Sequence, residues 1–133
     1  MAVITVSTSK RYELVDVTED VRVIVKESGV KEGLCNVYAP HATAAITINE
    51  NADPNIRDDI SDALSQLIKE GCWRHDRIDN NAASHIKAAI VGASETIPIV
   101  NGELAMGTWQ DIFICDFDGP RTRKVIVTVL PKS

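Results

Sequence analysis

The chain has 133 residues, 44% of them hydrophobic, which suits one folded domain over residues 1–133 and is too short for two. Fourteen basic and nineteen acidic residues give a formal charge of -5, and the basic residues are scattered, so a nucleic-acid partner is not expected. The sequence has no secretory leader pattern and no apolar run of about 18 residues. We therefore expect a cytoplasmic protein that does not bind membranes.

The three cysteines are Cys35, Cys72 and Cys115. Their odd number, wide spacing and lack of a C-x-x-C pattern favour reduced thiols over a disulfide framework. Free cysteine is among the most often buried residue types, so we expect these side chains to pack in the interior.

The first half of the chain alternates strand and helix patterns. Residues 2–8 and 12–17 alternate apolar and polar side chains and predict a β-hairpin. Residues 19–28 follow an N-cap pattern and end at Gly29, which predicts a short helix. Two β-rich runs, 34–39 and 44–49, are separated by a loop that places His41 at the end of a strand.

Two helices are predicted in the middle of the chain. The first spans 54–70, with Asp53 as its cap and Gly71 at its end. Its apolar stripe comprises Ile56, Ile60, Ala63, Leu64, Leu67 and Ile68. The second spans 81–91 and ends at Gly92. Its predicted apolar face comprises Ala82, Ile86, Ala89 and Ile90, with His85 at the border.

The last third of the chain is strand-rich. Asn101-Gly102 favours a type I′ turn between residues 97–100 and 103–106. Two further strands are predicted at 109–117 and 122–130. The whole pattern predicts an α+β fold, a mostly antiparallel sheet or sandwich with two main helices. Sheet edges in so small a domain need cover, which favours oligomerisation.

His41, His75 and His85 are the only histidines and stand 34 and 10 residues apart, so they form no local metal motif. Three protein ligands would suit a catalytic zinc with one open position, provided that the fold brings them together. The alternative is three separate, hydrogen-bonded histidines.

Other polar residues could carry chemistry. Glu50 comes directly after a predicted strand, where a carboxylate could serve as ligand, histidine acceptor or general base. Asp58 lies in the first turns of a helix, where a solvated face is the alternative. Arg121 and Arg123 share one alternation and could hold phosphate, although late-strand arginines are more often exposed to solvent.

The segment Gly107-Thr108-Trp109-Gln110 follows the second hairpin. Thr108 and Gln110 offer hydrogen bonds, and Trp109 could stack on a planar ring. The alternative is that Trp109 is a core residue of a strand. Without further context, the sequence favours this alternative.

Taken together, these segments resemble the YjbQ family of small bacterial and archaeal proteins over nearly the whole chain. The most specific segments are His41-Ala42-Thr43-Ala44 with the following Asn49-Glu50, Asn81 with His85, and Gly107-Thr108-Trp109-Gln110. Asp58, His75-Asp76 and Arg121-x-Arg123 also belong to the resemblance. The chain departs from the family pattern at Ala42, where a threonine hydroxyl is common.

The resemblance implies a homotrimer with a polar pocket near the subunit contacts. It also implies a divalent metal, zinc or magnesium, held by His41, His75 and His85. Family members have been credited with a secondary thiamine-phosphate synthase activity, which joins a pyrimidine pyrophosphate to a thiazole phosphate. The catalytic candidates are Glu50, Asp58 and Gln110, and the substrate-binding candidates are Asn81, Thr108, Trp109 and Arg123. The alternative function is a non-catalytic oligomer that binds a metal or metabolite.

Overall fold

Eight strands and three α-helices make up the computed structural model, which describes residues 1–133. The strands are β1 (Ala2–Ser7), β2 (Glu13–Asp16), β3 (Gly33–Tyr38), β4 (Ala44–Asn49), β5 (Ser94–Val100), β6 (Glu103–Leu104), β7 (Asp111–Asp116) and β8 (Thr122–Pro131). The helices are α1 (Thr18–Ser28), α2 (Asn55–Leu67) and α3 (Ala82–Val91), with a 3₁₀ helix at Arg74–Arg77. The predicted α+β class is confirmed.

The strands form two antiparallel sheets. The larger sheet has the order β1-β8-β3-β5-β6, and the smaller has the order β2-β7-β4. One core cluster contains side chains from both sheets and from α1, namely Ile4, Val6, Val17, Val21, Val25, Cys35, Val37, Ala39, Ala44, Ile46, Ile97, Ile99, Ile112, Ile114, Val125 and Val127. Because alternate residues of a strand point to opposite faces, this shared core makes the two sheets a sandwich.

The second core lies between the small sheet and the helices. Phe113, Cys115 and Phe117 alternate with the sandwich residues of β7 and pack with Ala88 of α3. Strand β7 is therefore buried on both faces, which explains its nearly continuous apolar sequence.

The predicted pairing of the first two strands is wrong. Strand β1 pairs with β8 in the large sheet, whereas β2 pairs with β7 in the small sheet. Alternation of polar and apolar residues correctly predicted both strands but carries no information about which neighbour each one pairs with.

The hairpin at Asn101-Gly102 is confirmed. Both residues have positive φ, 52° and 80°, as a type I′ turn requires. The turn joins β5 to a two-residue β6, shorter than the predicted return strand. Helix α2 begins at Asn55 rather than Pro54 and ends at Leu67 rather than residue 70. Pro54 rather than Asp53 has the N-cap position, although Asp53 Oδ1, one residue earlier, accepts the Asn55 N–H at 3.0 Å.

The predicted core faces of both main helices need correction. Leu67 of α2 is 77% exposed, and in α3 Ile90 is 60% exposed while Lys87 is 1% exposed. Lys87 Nζ donates to Ser65 Oγ at 3.1 Å and lies 3.6 Å from the centroid of the Tyr12 ring. Burial lowers the pKa of this ammonium group, and the two contacts compensate for lost water. Of the predicted apolar face of α3, Ala89 and Ile90 are exposed, Ile86 is half-buried and Ala82 is buried as predicted.

Trp109 is not a core residue of a strand. Its side chain is 67% exposed, and β7 begins only at Asp111. The Gly107 N–H donates to Gln110 Oε1 at 2.8 Å, and the Gln110 N–H donates to the Gly107 carbonyl at 3.1 Å. This closed turn holds Trp109 outside the sheet ladder.

Two of the three cysteines are buried as predicted, but Cys72 is exposed. Burial raises the pKa of the Cys35 thiol to about 11 and that of Cys115 to about 12. These two thiols are therefore protonated packing groups near neutral pH. None of the helices is both long and apolar enough to cross a lipid bilayer.

Candidate functional site

An ion pair between Asp116 and Arg123 lies at one end of the sandwich. Asp116 ends β7 on the alternation that faces the large sheet, and Arg123 faces it from the start of β8. Arg123 Nη2 donates to Asp116 Oδ1 at 2.7 Å and to Thr43 Oγ1 at 2.8 Å. The Asp116 side chain is inaccessible to solvent, and Arg123 is 3% exposed. This pair therefore closes the apolar core with charged groups.

The Asp116 carboxylate is ionised despite its burial. Desolvation opposes ionisation, but hydrogen bonds from Arg123, from the Thr8 hydroxyl and from the Asp118 N–H outweigh it and lower the pKa. The Thr8 Oγ1 to Asp116 Oδ2 distance is 2.6 Å. Short, charge-assisted bonds of this kind favour the charged form.

A second carboxylate, Asp118, connects this pair to α3. Asn81 Nδ2 donates to Asp118 Oδ2 at 2.9 Å, and Arg121 donates both to that oxygen and to the Asp118 carbonyl. Asn81 is the residue immediately before α3, and its Oδ1 is buried without a hydrogen-bond partner. The predicted substrate-binding residue Asn81 therefore has one uncommitted acceptor.

His75 and His85 come together beside Asn81. Their ring centroids are 4.8 Å apart in an edge-to-face arrangement. Asp76 holds the two segments in place, because its carboxylate accepts the Trp73 N–H and the Ala82 N–H, each at 3.0 Å. These two bonds lower the pKa of Asp76. His75 Nε2 is buried with no hydrogen-bond partner and lies 3.7 Å from Asp79 Oδ2.

His41 lies at the same end of the sandwich but has a separate partner. It follows β3, and its Nε2 accepts the Lys124 N–H at 2.9 Å. Desolvation and the positive charge of Arg123 lower the pKa of His41, which favours the neutral ring that this bond requires. One ring nitrogen of His41 is thus already engaged by the backbone.

The three histidines do not make a complete metal site within one chain. No group of three or more His, Cys, Asp or Glu side chains is close enough to hold an ion. His75 and His85 form a pair, whereas His41 stands apart and is bonded to Lys124. The residues of a single chain therefore do not fit a three-histidine metal centre.

The other predicted site residues lie mostly at the opposite end of the small sheet. Glu50 follows β4, whose last residue pairs with Asp111, and Gln110 directly precedes Asp111. Asp111 and Asp116 are five residues apart along β7, about 17 Å at the usual rise of a strand. Thr108, Trp109 and Gln110 are all exposed, whereas Glu50 is half-buried. Within one chain, these residues therefore lie far from the histidines.

Asp58 belongs to neither end. It lies in the first turn of α2 and is exposed, in a surface cavity that Arg57 and Tyr12 also line. The structure places no other catalytic candidate in that cavity.

Sequence reasoning missed Asp116 and Asp118, the two carboxylates at the centre of the network. A signal was present, because Asp116 continues the inward alternation of Ile112 and Ile114. An acid on the buried face of one strand needs a buried cation, and Arg123 has the matching position on β8. What the sequence does not reveal is that β7 and β8 belong to facing sheets.

Comparisons with known proteins find similar sequences and similar solved structures. A UPF0047 protein of Methanocaldococcus jannaschii is 46% identical over 125 residues, which cover 94% of this chain and 90% of that protein. The UPF0047 protein YugU of Bacillus subtilis is 40% identical and covers 94% of this chain and 95% of its own length. A crystal structure of a YbjQ-like protein of unknown function from Sulfolobus solfataricus superposes with a TM-score of 0.96 at 39% identity, covering 98% and 96% of the two chains.

A second crystal structure, of a YjbQ/UPF0047 family protein from Clostridium acetobutylicum, has a TM-score of 0.94 at 43% identity and covers 98% of this chain and all of that one. The family model described as UPF0047 protein YjbQ-like matches residues 2–132. The chain therefore belongs to the YjbQ-like UPF0047 family.

Proposed function

We propose that the protein is an enzyme that acts on a small phosphorylated or heteroaromatic metabolite at the His75–His85 pair. The observation that carries this proposal is His75 Nε2, which is buried, has no hydrogen-bond partner and lies 3.7 Å from Asp79 Oδ2. The ring centroid of His85 lies 4.8 Å from that of His75. Buried polar atoms normally have a hydrogen-bond partner, so an imidazole nitrogen that lacks one could form that bond with a substrate.

General acid–base catalysis is the chemistry this pair would supply. Histidine exchanges protons near neutral pH, and a substrate hydrogen-bonded to His75 could donate or accept one there. Asn81 would orient the substrate through its free Oδ1. Arg123 is engaged with Asp116 and Thr43, so its predicted contact with phosphate would require an additional donor atom of the same guanidinium.

Two catalytic candidates, Glu50 and Gln110, and the substrate-binding candidate Trp109 could meet the histidines only in an oligomer. Glu50, Trp109 and Gln110 lie at the far end of the small sheet from the histidines, so a second copy would have to supply them. The outer face of α3, formed by Ile86, Ala89 and Ile90, supports this proposal because it is apolar and lies beside His85, with Ile86 half-buried and Ala89 and Ile90 exposed. A homotrimer built on this face would put the site at a subunit contact.

Subunit mixing tests the shared site. His85→Ala and Trp109→Ala would each reduce turnover about 100-fold or more, as expected for loss of an acid–base or substrate-positioning group. Co-refolded mixtures of the two variants should regain activity, because some sites then contain both native residues. If each variant is inactive and the mixture stays inactive, the site is not shared.

The thiamine-phosphate version of the proposal names a specific reaction. The pyrimidine pyrophosphate and the thiazole phosphate would combine at the site, with release of pyrophosphate. Product formation by the purified protein, with and without added zinc or magnesium, tests this reaction directly. No product under either condition excludes this substrate pair but leaves the histidine pair open to another metabolite.

A divalent ion, zinc or magnesium, is part of the proposal as a group bound in the assembly. His75 and His85 would be its ligands from one chain, and the remaining ligands would come from substrate or from another copy. Elemental analysis of the native oligomer, compared with a His75→Ala/His85→Ala variant, tests this binding. Equal metal content in both proteins would exclude these two ligands.

The second candidate function is a non-catalytic oligomer that binds a metabolite or an ion. The bond from the Lys124 N–H to His41 favours it, since that histidine has a structural role. Alanine variants of the three histidines separate the two functions. Lost assembly or a lower melting temperature with no turnover in the wild type would favour binding alone, whereas lost turnover with intact assembly would favour catalysis.

A further inference from the structure

A groove with an excess of positively charged side chains lies between α1 and the β5–β6 turn, away from the histidines. Its walls carry Arg22, Lys26 and Lys31, and Glu103 is its one carboxylate. The whole chain has a formal charge of -5, so a local excess of cations is a reversal of the protein's overall sign. Such a concave, basic site attracts anions.

Two of the three cations are free to bind a ligand. Arg22 forms an ion pair with Glu19, whereas Lys26 and Lys31 take part in no ion pair. The Lys31 ammonium lies over the β5–β6 turn, because a Cβ added to Gly102 would be 3.4 Å from its Nζ. The Lys31 carbonyl also accepts the Gly102 N–H at 2.9 Å, which ties the turn to this wall.

The groove also has apolar walls and a size suited to a small molecule. Val25, Leu104 and Met106 are its three hydrophobic lining residues, and its volume is about 680 Å³. Small-molecule sites commonly have volumes of about 300–1,000 Å³. Thr108 is also in the wall, and its side chain is exposed.

We propose that this groove binds a soluble phosphomonoester that carries an apolar or aromatic group. The phosphate, with a charge of about -1.5 to -2 at pH 7, would pair with Lys26 and Lys31. The apolar group would pack on Leu104 and Met106, and Thr108 would donate to a phosphate oxygen. A lipid headgroup fits less well, because the groove has only three basic residues, fewer than the clusters of about four to eight that anionic membranes attract.

The proposal is independent of any reaction at the histidines, since it concerns binding alone. Phenyl phosphate is a suitable probe, because it combines a phosphomonoester with one aromatic ring. The chain has only two methionines, Met1 and Met106, so ¹³C-methyl labelling of methionine gives one signal in the groove and one at the terminus. Titration should shift the Met106 signal and leave Met1 unchanged.

Charge-reversal variants identify the ligands. Lys26→Glu/Lys31→Glu should weaken phenyl phosphate binding at least tenfold, whereas the matched control Lys69→Glu, an exposed lysine outside the groove, should change it less than twofold. Phenol and inorganic phosphate should each bind more weakly than phenyl phosphate to the wild type.

Four results would overturn the proposal. These are no shift of the Met106 signal, phenol binding as tightly as phenyl phosphate, an equal loss in the Lys69→Glu control, or binding to vesicles of anionic phospholipid that exceeds binding to phenyl phosphate. Native circular dichroism of both variants confirms that lost binding reflects the groove rather than unfolding.

Discussion

At the residue scale, the Asp116–Arg123 pair is the most consequential contact in the protein. It is fully buried, and each oxygen of the carboxylate has at least one donor. A buried ion pair costs desolvation energy when it forms, but removing one partner leaves an uncompensated charge. The pair therefore matters more for the position of the surrounding polar residues than as a source of net stability.

Replacing Arg123 by methionine should lower the free energy of unfolding by about 3–5 kcal/mol, because Asp116 would stay buried without its cation. Arg121→Met is the matched control, since Arg121 is exposed and should lose about 1 kcal/mol or less. Urea unfolding of both variants measures the difference. If both variants lose a similar free energy of unfolding, burial of the Asp116–Arg123 pair contributes little to stability.

Acid should destabilise the fold through Asp116. Its pKa is lowered from 3.8 in the folded chain, so at low pH the unfolded chain binds this proton first. The free energy of unfolding contributed by Asp116 is therefore present above pH 3.8 and declines as pH falls through the lower folded pKa.

Asp116→Asn isolates this contribution from the other carboxylates. The variant should be less stable than the wild type at pH 7, and the gap between the two should narrow as pH falls below 3.8. Urea titrations at several pH values test this. A gap that stays constant down to pH 2 would mean that Asp116 keeps the same pKa in both states.

At the element scale, sequence patterns predicted which segments are strands and helices better than how they pair. Period-two alternation predicted β1 and β2, yet the two strands lie in different sheets. Asn101-Gly102 correctly predicted a hairpin because the turn itself dictates the local pairing. Pairing of distant strands depends on side-chain contacts across the core, and a single sequence does not contain them.

The same reason limited prediction of the candidate site. All three histidines were identified from the sequence, and two of them do come together. The partner of His41, a backbone N–H of β8, and the two carboxylates of the network could not be foreseen without the sheet topology. Lys87 was not foreseen either, since α3 buries this charged side chain while Ile90 of its predicted apolar face is exposed.

Gly33 of β3 leaves no room for a side chain against β8. A Cβ at this position would lie 2.1 Å from the Leu130 carbonyl oxygen, which belongs to the sheet backbone and cannot move aside. Gly33→Ala should therefore destabilise the protein by about 3 kcal/mol or more, at the upper end of overpacking effects.

Gly29→Ala is the matched control for that substitution. Gly29 ends α1 with φ 71°, but an added Cβ would meet nothing within 4 Å. Its cost should be limited to left-handed backbone strain, about 1–2 kcal/mol. Thermal unfolding compares the two variants, and an equal or greater loss in Gly29→Ala would mean that β3 and β8 adjust readily.

At the scale of the whole molecule, two apolar surfaces lack cover in a single chain. One is the outer face of α3 beside His85, already described. The other is the outer face of the large sheet, which exposes Val3, Leu34, Tyr38, Val100 and Leu130. Only the first surface would bring a second copy next to the histidine pair, so the proposed shared site predicts that assembly uses α3.

If the proposed trimer forms through α3, Ile90→Lys should dissociate it, whereas Leu130→Lys should leave it intact. A fully buried isoleucine contributes about 1.5–3 kcal/mol, and a lysine in its place would bury an unpaired charge at each contact. Light scattering after size exclusion should give about three times the 14.5 kDa chain mass for the wild type and Leu130→Lys. It should give a single chain mass for Ile90→Lys. Dissociation by Leu130→Lys alone would assign assembly to the large sheet and leave the histidines outside the contact.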